Sequence, residues 1–376
     1  MGESKNMSPL KVLMTADTVG GVWNYTIELC NALSGYDVQF HLVTFGAEMQ
    51  AWQKEEAGKL DHVTVYETEY RLEWMEDPWD DIEKSGAYLL SLQKVIQPDI
   101  VHLNGYVHGS LDWNVPVVMV AHSDVYSWWR AVKKEDPGAG WQTYFTKVKK
   151  GLGEANHVIA PSHAMMDELG KIYSLTKNYS VIYNARSEDL FYSIEKKKEV
   201  MCMGRVWDEA KNVKLLMDAA DGVPYKIKIA GDNEFQRNYL DVKENKVLNL
   251  GKLGSRQIAK ELSSAGIYVL PAKYEPFGLS VLEAALSRCA LVLGDIPSLR
   301  EIWGDSAVYT DTDNADQLAQ AINKLMSDEG ALTIMAEKAY KQALKYNTKK
   351  MARQYMNVYM LLLHHQSQQA PKNSLT

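Results

Sequence analysis

The segment Glu275-Pro276-Phe277-Gly278-Leu279-Ser280-Val281-Leu282-Glu283 sets two carboxylates eight residues apart, one ahead of a helix and one inside it. The amides of Gly278, Leu279 and Ser280 fall in the first turn, where backbone N–H groups lack intrahelical partners and an anion is received. Gly278 lets the backbone approach a diphosphate closely, and Glu275 and Glu283 can accept hydrogen bonds from sugar hydroxyls on either side. These residue types describe a cradle for a nucleotide sugar. Met203-Gly204-Arg205, with Lys211-Asn212 six residues on, adds two cations. A guanidinium fork and a compact ammonium charge can neutralise a diphosphate leaving group without a metal. Asp232, after Ala230-Gly231, and the turn Gly251-Lys252-Leu253 end two further strands and are expected to border a base or ribose.

His122 ends an apolar run and is followed by Ser123-Asp124. A neutral imidazole there can hydrogen-bond a sugar hydroxyl or orient a proton in transit. His102 and His108, on and after a neighbouring run, read as structural residues. Trp128-Trp129-Arg130 follows His122 closely, and eight of the ten tryptophans lie in the first half of the chain. Flat indole faces cover the apolar side of a pyranose, so Trp128 and Trp129 are expected at an acceptor sugar.

Taken in order, Gly204-Arg205 with Lys211-Asn212, Ala230-Gly231-Asp232, Gly251-Lys252-Leu253 and the Glu275-to-Glu283 segment resemble the retaining GT-B glycosyltransferases of family four. The resemblance covers nearly the whole chain. Gly20-Gly21 resembles that family's glycine-rich loop near the donor phosphates, and Ala160-Pro161-Ser162 followed by Val181-Ile182-Tyr183-Asn184 resembles its domain-closing strands. It implies a hexosyltransferase in which Arg205 and Lys211 hold the diphosphate, Glu283 bonds the ribose and Glu275 bonds the donor sugar. It also places a histidine at His122, so that Glu275, His122, Arg205 and Lys211 are expected at the reacting centre. Gly20, Gly21, Asp232, Leu253, Phe277, Gly278, Leu279 and Ser280 complete the implied donor site. No cofactor beyond the nucleotide-sugar donor is required, and the acceptor is a saccharide or another polar hydroxyl compound. One departure stands out: Lys211 follows Arg205 at six residues, where five is the family's offset. No enzyme nucleophile is evident between the cations and the glutamates, so departure of the diphosphate is expected to dominate the chemistry.

These residues need strands and helices to aim them. Apolar, β-rich runs recur at 11–16, 38–45, 63–68, 99–105, 116–122, 157–162 and 181–185, and again at 200–205, 225–231, 247–252, 267–272, 290–295 and 307–311, with helical patterns between. Continuous apolar strands joined by crossover helices make parallel sheets buried on both faces. The fold expected is α/β, a GT-B arrangement of two Rossmann-like doubly wound domains facing a cleft, because such sheets bind ligands beyond the carboxyl ends of their strands. The acceptor-side domain is placed at 1–188 and the nucleotide-sugar domain at 189–347. Ser187 to Glu199 reads as the linker, and a last helix over about 348–376 is expected to cross back onto the first domain.

Composition limits the alternatives. A chain of 376 residues, 46% hydrophobic and 24% charged, is neither disordered nor a single small core, and no run approaches the roughly 20 apolar residues of a membrane span. The net charge of −7 hides an asymmetry: residues 1–190 stand at −10 and residues 191–376 at +3. The acidic half offers no surface for nucleic acid and makes strong binding to an anionic membrane unfavourable, while the other half can hold a small anion. The runs Lys147 to Lys150 and Lys196-Lys197-Lys198 read as solvated faces or linker. Cys30, Cys202 and Cys289 lack metal or disulfide spacing and read as buried thiols, with no metal site expected. The first residues lack a signal-peptide pattern, and a cytoplasmic location is expected. A sugar-nucleotide epimerase of the same fold and a non-catalytic nucleotide-sugar-binding protein remain the competing classes. A nicotinamide oxidoreductase is disfavoured, since neither domain's first strand is followed by GxGxxG.

Overall fold

The computed structural model describes residues 8–175, 178–231 and 247–369. The first series of elements is β1 (Leu10–Asp17), α1 (Gly21–Ala32), β2 (Val38–Phe45), α2 (Ala51–Ala57), β3 (Val63–Tyr66), α3 (Trp79–Ile96), β4 (Ile100–Leu103), β5 (Val117–Val120), α4 (Val125–Val132), α5 (Gln142–Glu154), β6 (His157–Ala160), α6 (His163–Tyr173) and β7 (Tyr179–Val181). The second is β8 (Lys197–Met203), α7 (Val213–Ala219), β9 (Lys226–Ala230), β10 (Val247–Gly251), α8 (Ser255–Ser264), β11 (Ala265–Leu270), α9 (Leu279–Leu286), β12 (Ala290–Gly294), α10 (Pro297–Trp303), β13 (Val308–Thr310), α11 (Ala315–Ser327), α12 (Glu329–Ala343) and α13 (Thr348–Gln369).

The strands form two parallel sheets, ordered β3-β2-β1-β4-β5-β6-β7 and β10-β9-β8-β11-β12-β13. Strands such as β4, β5, β11 and β12 are buried along their whole length, which is why they appear in the sequence as unbroken apolar runs. In each sheet the order reverses beside the first strand, between β1 and β4 and between β8 and β11. Those two switch points open crevices at the carboxyl ends, and the crevices face each other.

Several boundaries differ from the sequence reading. β7 covers Tyr179–Val181 and not 181–185, because the chain leaves this edge strand to cross toward the second sheet. The stretch read as linker is partly strand: Lys197 to Glu199 extend β8, the central strand, which pairs with both β9 and β11. Lys196 is pinned and not merely solvated, its Nζ donating to the carbonyls of Ser287 at 2.6 Å and Leu262 at 3.1 Å. The three cysteines are buried and unpaired. Among the described residues no helix is long and apolar enough to cross a membrane.

The last helix, α13, packs into the core of the first sheet. Met351, Ala352, Tyr355, Val358, Tyr359 and Leu362 fall on one helical stripe and join Val12, Trp23, Leu29 and Phe40. Each large side chain so buried contributes about 1.5–3 kcal/mol, enough to hold the helix against a sheet far from it in sequence.

Candidate active site

The two crevices merge into one cleft of about 800 Å³ between the sheets. Among the residues singled out from sequence, His122, Arg205, Lys211, Gly20, Gly21, Leu253, Glu275, Phe277, Gly278, Leu279, Ser280, Glu283, Trp128 and Trp129 all border it. Asp232 lies outside the described residues.

The second-domain wall is built from the ends of β8, β9 and β11. Gly204 and Arg205 follow β8, and Gly231 follows β9 so closely that a Cβ on it would lie 1.7 Å from the Gly204 carbonyl oxygen. Only glycine permits that approach. After β11 the chain turns into α9 through Gly278, a left-handed residue at φ 88° that serves as the helix N-cap. Gly278, Leu279 and Ser280, at the N-terminus of α9 where the first amides lack intrahelical partners, border the cleft. Lys211 Nζ donates to Glu275 Oε2 at 2.5 Å, so the longer spacing from Arg205 still brings the lysine to the loop before α9. Arg205 donates from Nη2 to Asp208 Oδ2 at 2.7 Å and stacks over Trp207 at 5.2 Å. Arg205 also lies against the first domain, where a Cβ on Gly20 would stand 3.7 Å from its Nη1.

Glu283 is buried inside α9, not an exposed helix residue, and its Oε1 lies 3.0 Å from Arg186 Nε. Arg186 also donates from Nη1 to Glu28 Oε2 of α1 at 2.9 Å. This arginine, just past β7, therefore links a carboxylate of each domain. Burial raises the pKa of both Glu28 and Glu283, and the neighbouring guanidinium opposes the rise.

The first-domain wall carries carboxylates that sequence reasoning missed. Asp17 ends β1 and accepts the Val19 N–H at 2.5 Å, and burial raises its pKa to about 7 against the opposing Arg205 charge. Glu73 accepts the N–H groups of Tyr106 at 3.1 Å and Val107 at 2.9 Å, and burial raises it also to about 7. Asp124 caps α4 and is saturated by Ser127, Tyr144 and Tyr173. His122 lies past the end of β5, half-buried, with Nε2 2.8 Å from Asn104 Oδ1 and the Tyr25 ring edge-on at 4.5 Å. Burial holds its pKa down at about 3, which keeps the ring neutral. His102 and His108 are buried in structural bonds, to Tyr359 at 2.6 Å and to Ser85 at 2.9 Å.

The walls are tied together across the cleft. Trp128 Nε1 donates to Asp208, Tyr274 Oη accepts the Asp124 N–H at 3.2 Å, and Ser162 Oγ donates to the Pro276 carbonyl at 2.7 Å. Glu301 of α10 accepts the first amides of α6, from His163 and Ala164, both at 2.8 Å, and the Tyr183 hydroxyl at 2.9 Å. A carboxylate of one domain so caps a helix of the other.

Two facing doubly wound domains with a cation-bearing cleft at the carboxyl ends of both sheets define the GT-B class of glycosyltransferases. The family descriptions agree: "Glycosyltransferase Family 4" matches residues 19–189 and "Glycosyl transferases group 1" matches residues 188–342. The chain belongs to this glycosyltransferase family and is a sugar-transferring enzyme by class. An uncharacterised glycosyltransferase of Methanocaldococcus jannaschii is 22% identical, over 92% of this chain and 95% of that protein. The alpha-maltose-1-phosphate synthase of Mycobacterium tuberculosis is 28% identical over 57% of this chain and 65% of its own length. In fold, the chain resembles sucrose-phosphate synthase from Thermosynechococcus elongatus, with a TM-score of 0.79, 18% identity and coverage of 95% of this chain and 100% of that one. Anabaena HepE in complex with UDP-glucose gives a TM-score of 0.74 at 18% identity, over 94% of this chain and 100% of that one.

Proposed function

We propose that the protein transfers a hexose from a nucleoside-diphosphate sugar to a hydroxyl of a saccharide or other polar acceptor, with retention at the anomeric carbon. The observation that carries this reading is the meeting of Arg205, Lys211 and the N-terminus of α9 on one cleft wall, with Glu275 bonded to Lys211. In this mechanism the bond between the anomeric carbon and the diphosphate oxygen breaks while Arg205, Lys211 and the helix amides stabilise the charge that develops. The acceptor oxygen attacks from the same face, and its proton passes to the leaving phosphate oxygen. Glu275 bonds the donor sugar, Glu283 lies toward the ribose, and His122 takes a hydrogen bond from a sugar hydroxyl. No cofactor is needed in this scheme, and the enzyme works in the cytoplasm.

The acceptor lies along the first-domain wall, where Asp17 and Glu73 offer hydrogen-bond acceptors beside Trp74, Trp128 and Trp129. The test is a thermal-shift screen of UDP, GDP and ADP and their sugars. A true donor at 100 times its Kd stabilises the fold by about 2.7 kcal/mol. Incubation of that donor with saccharide acceptors, followed by NMR of the product, reads the anomeric configuration. Absence of a shift with every nucleotide overturns the donor-site reading, and an inverted product overturns retention.

A further inference from the structure

We propose that Asn104 is a positioning residue that fixes the proton of His122 on Nε2 and so presents a bare Nδ1 to the cleft. The catalytic use of that nitrogen rests on the sugar-transfer reading above; the tautomer itself does not.

Asn104 follows β4 at the switch point beside β1, and β1 holds it at two places. Its backbone N–H donates to Thr15 Oγ1 at 2.9 Å, and its Nδ2 lies 2.7 Å from the Thr15 carbonyl oxygen. A backbone carbonyl only accepts, so the amide nitrogen must face Thr15 and the amide oxygen must face away. That oxygen lies 2.8 Å from His122 Nε2, and it too only accepts. The hydrogen-bond network therefore assigns the ring hydrogen to Nε2. Burial keeps the ring neutral, which leaves a lone pair at Nδ1. The titratable groups packed nearest are Tyr25 of α1, edge-on at 4.5 Å, and His102 of β4. His102 has its ring nitrogens bonded to Tyr359 and Tyr25 and also meets the Asn104 side chain, and burial keeps it neutral as well, so neither neighbour brings a charge to His122. Among the described residues no group bonds Nδ1 of His122, and the residue borders the cleft. The ring so held accepts a hydrogen bond from a hydroxyl and offers no donor to a phosphate or carbonyl oxygen.

The test begins with ¹⁵N-histidine labelling of the full chain and NMR of the ring nitrogens, with the His122 signals identified by their loss in His122→Asn. The wild type is expected to show His122 as the Nε2–H tautomer, and Asn104→Ala is expected to show a tautomer mixture in a chain that still folds, with a lower Tm because the Thr15 carbonyl loses a donor. In Asn104→Ala, kcat/KM falls roughly ten- to a hundredfold, as when an outer partner that orients a functional histidine is lost. His122→Asn places an amide oxygen near the position of Nδ1 and needs no tautomer, so adding Asn104→Ala to it leaves the rate unchanged. An Nδ1–H tautomer in the wild type, an unaltered tautomer in Asn104→Ala, or additive losses in the double variant would each overturn the proposal. If the wild type shows the Nε2–H tautomer and transfers no sugar, the sugar-transfer reading fails and the Asn104 assignment stands.

Discussion

Trp128 Nε1 lies 3.0 Å from Asp208 Oδ1, joining α4 of the first domain to the loop that follows β8 in the second. The other oxygen of Asp208 holds Arg205, and the adjacent Glu209 receives Lys133 at 2.6 Å. Two consecutive acids so bind α4 and its C-terminal lysine. The wall assigned to the acceptor is in this way connected, through one buried carboxylate, to the cation assigned to the diphosphate.

Trp128→Phe removes that connection while keeping an aromatic ring. A hydrogen bond to a charged group is worth about 1.5–3 kcal/mol, so the variant is expected to populate an open arrangement of the domains. Small-angle scattering should record a larger radius of gyration in the ligand-free protein, and turnover should fall. Wild-type scattering together with wild-type turnover would remove Trp128 from any role in closure.

Arg186→Met leaves Glu28 and Glu283 buried with no cation between them. Breaking a buried ion pair from one side costs about 3–5 kcal/mol, and urea denaturation should show a loss of that size. Adding Glu28→Gln should recover part of it, because one of the uncompensated charges is gone. A loss below about 1 kcal/mol would mean that water reaches the two carboxylates.

Arg186 also marks how far the sequence could be read. Each of the thirteen strands among the described residues overlaps an apolar run, β7 by one residue, because burial on both faces leaves a local compositional trace. Arg205, Lys211 and the Glu275-to-Glu283 segment were legible for a similar reason: each sits within a few residues of a strand end, and its chemistry is intelligible locally. Arg186, Glu28 and Asn104 acquire their roles from partners 18 to 158 positions away, and a single sequence carries no record of those meetings. A faint signal existed in Glu28, the one charged residue of the helix Gly21–Ala32, and in Asp17 and Arg186, charged residues at or shortly past strand ends. The linker was read three residues too long because Lys196-Lys197-Lys198 reads as a solvated charge run, while the backbone of Lys197 to Glu199 is needed to complete a central strand.

Asp17 gives the ligand-free protein a defined pH dependence. Its pKa is about 7 folded against 3.8 as the ordinary value, so between these limits the native state holds a proton that the unfolded chain has released. Stability from this group therefore falls as pH rises from about 4 to about 7, and the full penalty is present above that range. Asp17→Asn keeps the oxygen that accepts the Val19 N–H and removes the charge. Its gain in Tm over the wild type should be larger at about pH 8 than at about pH 4. Equal gains at both pH values would show that the Asp17 carboxylate is not held in its protonated form.

Lys211→Ala separates charge stabilisation from substrate holding. Loss of one preorganised donor to a developing oxyanion lowers kcat by roughly a hundredfold or more. Donor affinity, measured by calorimetry with the nucleoside diphosphate identified in the thermal-shift screen, should weaken less than kcat falls. An unchanged kcat would exclude Lys211 from the reacting centre and leave its bond to Glu275 as a structural contact.

The return of α13 to the first sheet sets the order in which this polypeptide can mature on a ribosome. Tyr355 and Tyr359 are core residues of the first domain, yet they are synthesised after every strand of the second. The amino-terminal half must therefore wait, with part of its apolar interior uncovered, while the other half emerges and folds. A ribosome that stalls or terminates shortly before residue 348 would release a second domain with all its strands beside a first domain lacking its last helix, a species prone to capture by chaperones or to aggregation.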